Sequence, residues 1–420
     1  MTKKVLVLPG GFVPFNDTVT LLSYKHLRLV NAEMDVVALE GKVDQGILSA
    51  INSDENMRKF KIDYVCKYDQ AVASLEKKNV IEGIVNIFKY KRAAVKKSLT
   101  SDYGVVYSSS IPSFTHWAAY CVKKKNPNIK WVASFSDPLY KSPYKYDKET
   151  IKEYPLIVKI GFFVYIWIYM NSWYEKIAMR YADKIVYICE EQRDFMISHY
   201  KNEEELKEKS IISPLNYIND WDIYSKLLKE NDKVRNEKLT ISHFGRVYGL
   251  RKIDLFLLAL KELKNDNPKL SKQIIFKQYG EFIPRYMKMI QEYDISDLFE
   301  FHDKIPYDEV MRLMKESDML ALFDTILPEN EIQPYLPSKT LEYILLKKDL
   351  FILTTKNSPT TRIFESLGYT CTFNNKNEIK KRLNSLLNER KKHFNYPIEE
   401  FENEFATKEL RKYIEGVIGN

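Results

Sequence analysis

Short runs such as KVLVLPG (4–10), KIVYICE (184–190) and DMLALFD (318–324) are apolar at almost every position. A strand with one wet face alternates polar and apolar residues. A strand without that alternation is covered on both faces, the condition of a parallel sheet sandwiched between helices. Similar runs follow along the whole chain: MDVVALE, YGVVYSSS, IKWVASFSD and SIISP in the first half, then LTISHFG, QIIFKQYG, FEFHDKI, LFILTTK and YTCTFN. Amphipathic segments separate them, among them DLFLLALKEL, with Leu255, Leu258 and Ala259 on one face, and YDEVMRLMKESD, with Val310, Leu313 and Met314. This alternation predicts an α/β fold of parallel sheets flanked by helices.

A chain of 420 residues exceeds what one compact core holds. The charged, weakly patterned stretch 219–237 and the fresh strand LTISHFG after it place the division. The expected domains are 1–220 and 221–400, with a C-terminal helix in 401–420 packing back towards the first. The 65 Lys and Arg against 57 Asp and Glu leave +8, in clusters such as Lys123–Lys125 and Arg390–Lys392. Such an excess suits a phosphorylated ligand, an anionic membrane or nucleic acid without choosing among them. Cys66, Cys121, Cys189 and Cys371 have neither metal-ligand spacing nor a C-x-x-C pair, which reads as buried thiols in a reducing compartment. MTKK runs straight into a strand with no apolar leader, so a cytoplasmic location is expected.

The segment from Pro155 to Tyr174, PLIVKIGFFVYIWIYMNSWY, is the most membrane-like. Lys159 and Asn171 bracket only Ile160 to Met170, too short to span a bilayer. Two readings stay open. One is a buried helix of the first domain. The other is a helix lying in the membrane interface, favoured by its aromatic density beside KSPYKYDK, which would put the protein peripherally on the inner face of the cell membrane.

In doubly wound sheets ligands bind at the carboxyl ends of strands. Gly10 and Gly11 end the first strand, Gly245 and Gly249 follow the first strand of the second half, and Gly280 ends the next. No G-x-G-x-x-G or G-x-x-x-x-G-K-[ST] occurs, which argues against the usual nicotinamide dehydrogenases and P-loop NTPases. Arg246 directly follows Gly245, and Arg251 stands near the mouth of the next helix. Two guanidinium groups at a strand-to-helix loop suit a diphosphate. LPSKTLEY (336–343) supplies a second feature: Pro337 and Ser338 read as a helix start, with the Ser338 hydroxyl as N-cap. Glu342 lies four residues after Ser338, so a capping box does not explain it. Lys339 would add charge to an anion site at that start, and Glu342 could accept hydrogen bonds from vicinal hydroxyls.

These residues carry a resemblance. GRVYGLR, KQYGEF, FEFHDKIP and LPSKTLEY, in that order, are similar to the second domain of the retaining glycosyltransferases of family 4, in the branch with P-S-K-x-x-E-Y. That resemblance implies the GT-B architecture of two facing Rossmann-like domains. It implies transfer of a sugar from a nucleotide-diphosphate sugar to a hydroxyl acceptor with retention, in surface polysaccharide or glycan assembly. Arg246 and Arg251 would hold the diphosphate in place of a metal, so no metal or other cofactor is expected. Pro337, Ser338, Lys339 and Thr340 would add contacts at the helix start, and Glu342 would bind the ribose. Gly245 and Gly280 would shape the strand ends, the backbone near Ile305 would meet the base, and Gly10 with Gly11 would leave room for donor and acceptor. SSSIPSFTHWAAYCVKKK and VASFSDP resemble the acceptor side, which would make His116 and Asp137 cleft residues. The implied partners are a nucleotide-sugar donor and a glycan or lipid-linked glycan acceptor, with no nucleic acid. The chain departs from the family at three places: the first acid of E-x7-E falls on Pro334, with Glu329 or Glu331 nearby, Lys252 follows the second basic residue, and Asp303 replaces a common glycine. A sugar-nucleotide epimerase and a non-catalytic, membrane-bound binding protein are the alternative readings.

Overall fold

The computed structural model describes residues 3–15, 18–71, 80–146, 169–221, 224–225, 237–303, 305, 307–388 and 394–419. Most of the aromatic segment 155–174 therefore lies outside the described residues, as does most of the boundary stretch 219–237. The chain forms two compact units, Met1–Trp221 with Glu399–Asn420, and Asp222–Ile398.

The first unit is built on seven strands: β1 (Lys4–Gly11), β2 (Met34–Glu40), β3 (Phe60–Lys67), β4 (Tyr103–Ser109), β5 (Lys130–Ser134), β6 (Lys184–Tyr187) and β7 (Ser210–Ile212). They lie in the order β3-β2-β1-β4-β5-β6-β7, and every pairing is parallel. β1, β2 and β4 are buried along nearly their full length, as the unbroken apolar runs require. β3 is absent from the strands expected from sequence. It is an edge strand, FKIDYVCK, whose polar residues are half-exposed or exposed, so no apolar run marks it.

Three helices, Val80–Lys97, Phe114–Lys125 and Asn171–Tyr181, pack side by side over this sheet. Ile87, Tyr90 and Ala94, then Phe114, Ala118 and Val122, then Tyr174, Ile177 and Ala178 form one buried cluster with Leu6, Leu8, Val37 and Val106. The C-terminal segment belongs to the same unit. Tyr217 N donates to the Phe401 carbonyl, Asn403 N donates to the Tyr217 carbonyl, and Asn403 Nδ2 reaches the Lys25 carbonyl and Asn216 Oδ1. The helix Lys408–Ile418 then covers β4 and β7.

The second unit repeats the plan with six parallel strands: β8 (Leu239–Phe244), β9 (Ile274–Tyr279), β10 (Phe299–His302), β11 (Met319–Phe323), β12 (Leu350–Thr354) and β13 (Cys371–Phe373). Their order is β10-β9-β8-β11-β12-β13. On the helix Asp254–Asp266 the buried stripe is Phe256, Leu257, Ala259, Leu260 and Leu263, while Leu255 and Leu258 lie at its margin. Phe256 meets the rings of Phe276, Phe323 and Phe351 at 5.1–5.4 Å and anchors the core, a burial worth ~3 kcal/mol. In both sheets the chain reverses direction across the sheet at its first strand. The carboxyl ends of β1 and β4, and of β8 and β11, therefore flank a switch point where no crossover helix intervenes.

One buried carboxylate organises the first unit. Asp54 accepts from Arg28 Nε at 2.5 Å, Tyr24 Oη at 2.8 Å, Trp221 Nε1 at 3.3 Å and Asn56 N at 3.0 Å. Burial pushes its carboxyl up, but the hydrogen bonds from Arg28, Asn56 and Tyr24 outweigh burial and hold it at about 2, against 3.8 for an ordinary aspartate. A depressed folded value means that the stabilisation is complete above the ordinary value and lost as pH falls towards 2. Asp54→Asn should cost ~3 kcal/mol at neutral pH, because it leaves the buried Arg28 with only the exposed Asp220 carboxylate, 3.4 Å from its Nη2, as counter-charge. Urea unfolding of both proteins at neutral pH and near pH 3 checks this, with the gap between them narrowing in acid.

Candidate functional site

The switch point of the second sheet gathers most of the residues singled out in its sequence. β8 ends in His243 and Phe244, followed by Gly245 at φ +118°, and β9 is followed by Gly280 at φ +111°. Both are conformations that a side chain disfavours. A Cβ at Gly280 would meet the Gly245 carbonyl oxygen at 3.0 Å, and one at Gly245 would meet Lys339 Nζ at 2.8 Å. These glycines therefore let two loops and a lysine converge.

Gln278 fixes the convergence. Its Nε2 donates to the carbonyls of Gly245 (2.7 Å) and Gly280 (3.0 Å), and its Oε1 lies 2.8 Å from His243 Nδ1. An amide oxygen only accepts, so Nδ1 carries the proton and His243 Nε2 is left as an acceptor. Lys339 Nζ donates to that nitrogen at 3.2 Å and to the Phe244 carbonyl. Burial, and then the Lys339 charge, hold the His243 imidazole well below its ordinary range. Burial, and then Arg251, hold the Lys339 ammonium well below its own. Lys339 is thus a strut between the LPSKTLEY turn and β8, with its ammonium under the positive field of Arg251.

Ser338 does not cap. It is exposed, and the helix Thr340–Leu346 begins through a turn in which Thr340 N donates to the Pro337 carbonyl at 3.0 Å. Glu342 lies in the first turn, half-buried, and its charge acts on Lys339. Arg251 Nη1 donates to the Arg246 carbonyl at 2.8 Å and its guanidinium lies over Tyr248. Its buried Nε, and the buried Thr340 Oγ1, have no hydrogen-bond partner among the described residues. Arg246 is exposed and pairs with Glu281 at 3.0 Å. Ile305 is half-buried just beyond β10, where His302 stacks on Tyr279 and Tyr279 on Phe244.

Asp324 at the end of β11 escaped sequence reasoning. It is buried and accepts from Thr325 N (2.7 Å), Gln333 Nε2 (2.9 Å) and Thr354 Oγ1 (2.9 Å). Burial pushes its carboxyl up to about 6, opposed by the Thr360 hydroxyl, the Thr325 N–H, the Thr354 hydroxyl and the Arg251 charge. Gln333 also accepts from Tyr335 N, so this carboxylate holds the loop that runs from β11 through Pro334 to the LPSKTLEY turn. Glu329 and Glu331 are exposed on that loop, and Glu329 pairs with Lys356 at 3.4 Å. The only sequence signal for Asp324 is its position, an acid closing an otherwise apolar strand.

In the first unit the outcome differs. His116 is fully buried, with Nδ1 2.8 Å from Ser108 Oγ and its ring 4.6 Å from that of Phe135. That is a core position of the helix Phe114–Lys125, not a cleft position. The space ahead of Gly10 and Gly11 is taken by Pro112, Phe15 and Thr20, so these glycines serve close packing rather than room for a ligand. Asp137 is half-buried in the loop after β5, a loop held by Glu175, which accepts from Leu139 N and Tyr140 N. Among the described residues no group of His, Cys, Asp and Glu side chains converges as a metal site would need, and no helix is long and apolar enough to cross a membrane.

No family model and no curated protein matches the sequence. Solved structures do match the fold over the whole chain. A sucrose-phosphate synthase from Thermosynechococcus elongatus is similar with a TM-score of 0.60 at 11% identity, covering 100% of this chain and 94% of its own. A UDP-forming alpha,alpha-trehalose-phosphate synthase from Burkholderia xenovorans has a TM-score of 0.58 at 10% identity, covering 100% and 99%. The lipopolysaccharide outer core galactosyltransferase WaaB has 0.56 at 12% identity, covering 98% and 99%. Two α/β units, each a parallel sheet flanked by helices, are the architecture this chain has in common with them.

Proposed function

We propose that the protein is a glycosyltransferase that moves a sugar from a nucleoside-diphosphate donor to a hydroxyl acceptor. The observation that carries this is the clustering of Arg246, Arg251, Lys339 and Glu342 at the switch point of the second sheet, with the Arg251 Nε buried and unpartnered among the described residues. In such a transfer the anomeric carbon–oxygen bond to the β-phosphate breaks and the acceptor oxygen bonds to that carbon. The acceptor proton leaves with the departing diphosphate. Most of the work is stabilising the charge that develops on the diphosphate, which fixed guanidinium groups do without reorganising. Arg251 and Arg246 fill that role here, and Glu342 accepts hydrogen bonds from the ribose hydroxyls. Retention is supported by the resemblance of LPSKTLEY and GRVYGLR to retaining enzymes. The UDP-forming synthase and the lipopolysaccharide galactosyltransferase among the structural relatives support a nucleotide-sugar donor and a glycan acceptor, free or lipid-linked.

The reading makes two measurable demands. Saturating UDP or another nucleoside diphosphate should raise the unfolding temperature by several degrees, as ~3 kcal/mol of linkage at a hundredfold excess over Kd implies. Arg251→Ala and Glu342→Ala should each remove most of that shift. Turnover with the donor that binds should fall ~100-fold or more in Arg251→Ala. A wild-type protein unmoved by every nucleoside diphosphate would overturn the proposal, and so would interconversion of sugar nucleotides without any acceptor. The second demand concerns Glu281, which competes with the ligand for Arg246. Glu281→Gln should tighten diphosphate binding about twofold, the scale of an exposed ion pair, read by calorimetric titration.

A further inference from the structure

We propose that the outward face of the helices Val80–Lys97, Phe114–Lys125 and Asn171–Tyr181 is a docking surface for an anionic lipid bilayer. The proposal rests on the first unit alone and does not depend on the diphosphate site. On the helix Val80–Lys97 the residues Ile87, Tyr90 and Ala94 are buried against the sheet. Ile81, Ile84, Val85 and Phe88, at helical spacing, point the opposite way and are 77%, 41%, 46% and 49% exposed. At 100° per residue these four fall within about 100° of arc, centred roughly 140° round the helix from Ile87, Tyr90 and Ala94. An ordinary surface helix has its charges there. This one has Lys89 and Lys91 on either side of the apolar arc, and Arg92 continuing it.

The neighbouring helices extend the pattern. Phe88 meets Trp117 edge-on at 5.2 Å, Trp117 stacks near Tyr174 at 6.4 Å, and Trp173 beside it is 48% exposed. Lys91 Nζ lies over both Phe88 and Trp117, Lys124 lies over Tyr120, and Arg180 lies over Tyr181. The three helices carry five, three and two basic side chains against two acids, Glu82 and the fully buried Glu175. That difference equals the net charge of +8 of the whole chain. Lys97 pairs with Asp63 and Lys123 with Asp183, whereas the other eight have no ion pair among the described residues.

The chemistry selects the occupant. Exposed aliphatic and aromatic side chains ringed by cations that have no ion pair among the described residues fit the interface of a bilayer, where apolar groups enter the acyl boundary and long cationic side chains reach back to phosphate. A nucleic-acid backbone would satisfy the cations but offers nothing to Ile81, Ile84 or Val85.

Sedimentation with sucrose-loaded vesicles tests this. The full chain should pellet with phosphatidylcholine vesicles containing phosphatidylglycerol, less so as salt is raised, and should stay in solution with phosphatidylcholine alone. Ile84→Ser with Phe88→Ser, and separately Lys89→Glu with Arg92→Glu, should each lower vesicle binding about tenfold or more. Both variants should keep the unfolding temperature of the wild type. The proposal is overturned if the wild type stays in solution with anionic vesicles, or if both variants bind them unchanged. It is equally overturned if sedimentation velocity without lipid shows a dimer that the serine variant abolishes, since a second copy would then be the occupant. Because the readout is lipid binding, its failure leaves the thermal response to nucleoside diphosphates untouched.

Discussion

The mouth of the second sheet depends on one amide. Gln278 gives both of its N–H groups to the carbonyls of two glycines on adjacent strand ends and takes one from His243. That fixes the imidazole tautomer, which lets His243 accept from Lys339, which ties the LPSKTLEY turn to β8. The His243–Gln278 link is buried, so losing either partner would leave a polar group unsatisfied at a cost of ~1–3 kcal/mol, and the part-buried links to Lys339 and the two glycine carbonyls would cost less. On the far side of the switch point Asp324 performs the same service for the loop after β11. Under the proposed function, the charged residues that would face the donor stand on loops held by uncharged or charge-suppressed groups.

That division explains what was legible in the sequence. β1, β4, β8 and β11 announce themselves because a strand buried on both faces has no reason to alternate. β3 does not, because its outer edge and much of its surface are wet. Arg246, Arg251, Glu342 and the glycines after β8 and β9 were visible as charge and flexibility at strand ends. Gln278, His243 and Asp324 were not, since a polar residue inside an apolar run has the same letter whether it holds two loops or merely tolerates burial. Lys339 was visible as a charge, but its partners are a carbonyl and a ring nitrogen nearly a hundred residues earlier. Local spacing carries no record of such a contact.

The first unit taught the opposite lesson. His116, Gly10 and Gly11 had the residue types of a site, and the structure uses all three for packing. Meanwhile the helix Val80–Lys97 has apolar residues on two opposite faces, and periodicity alone reads such a helix as buried all round. Only the position of the sheet tells which face is the inner one.

The return of Glu399–Asn420 to the first unit also orders events in time. The second unit is one continuous stretch, complete once its own residues have left the ribosome. The first is not: Asn403 and the helix Lys408–Ile418 seal β4, β7 and the last turn of the helix holding Lys25 only after the second unit has been made. Of the two units, the one that starts earlier in the sequence is therefore closed by residues made later, and until they emerge the first sheet lacks part of its cover.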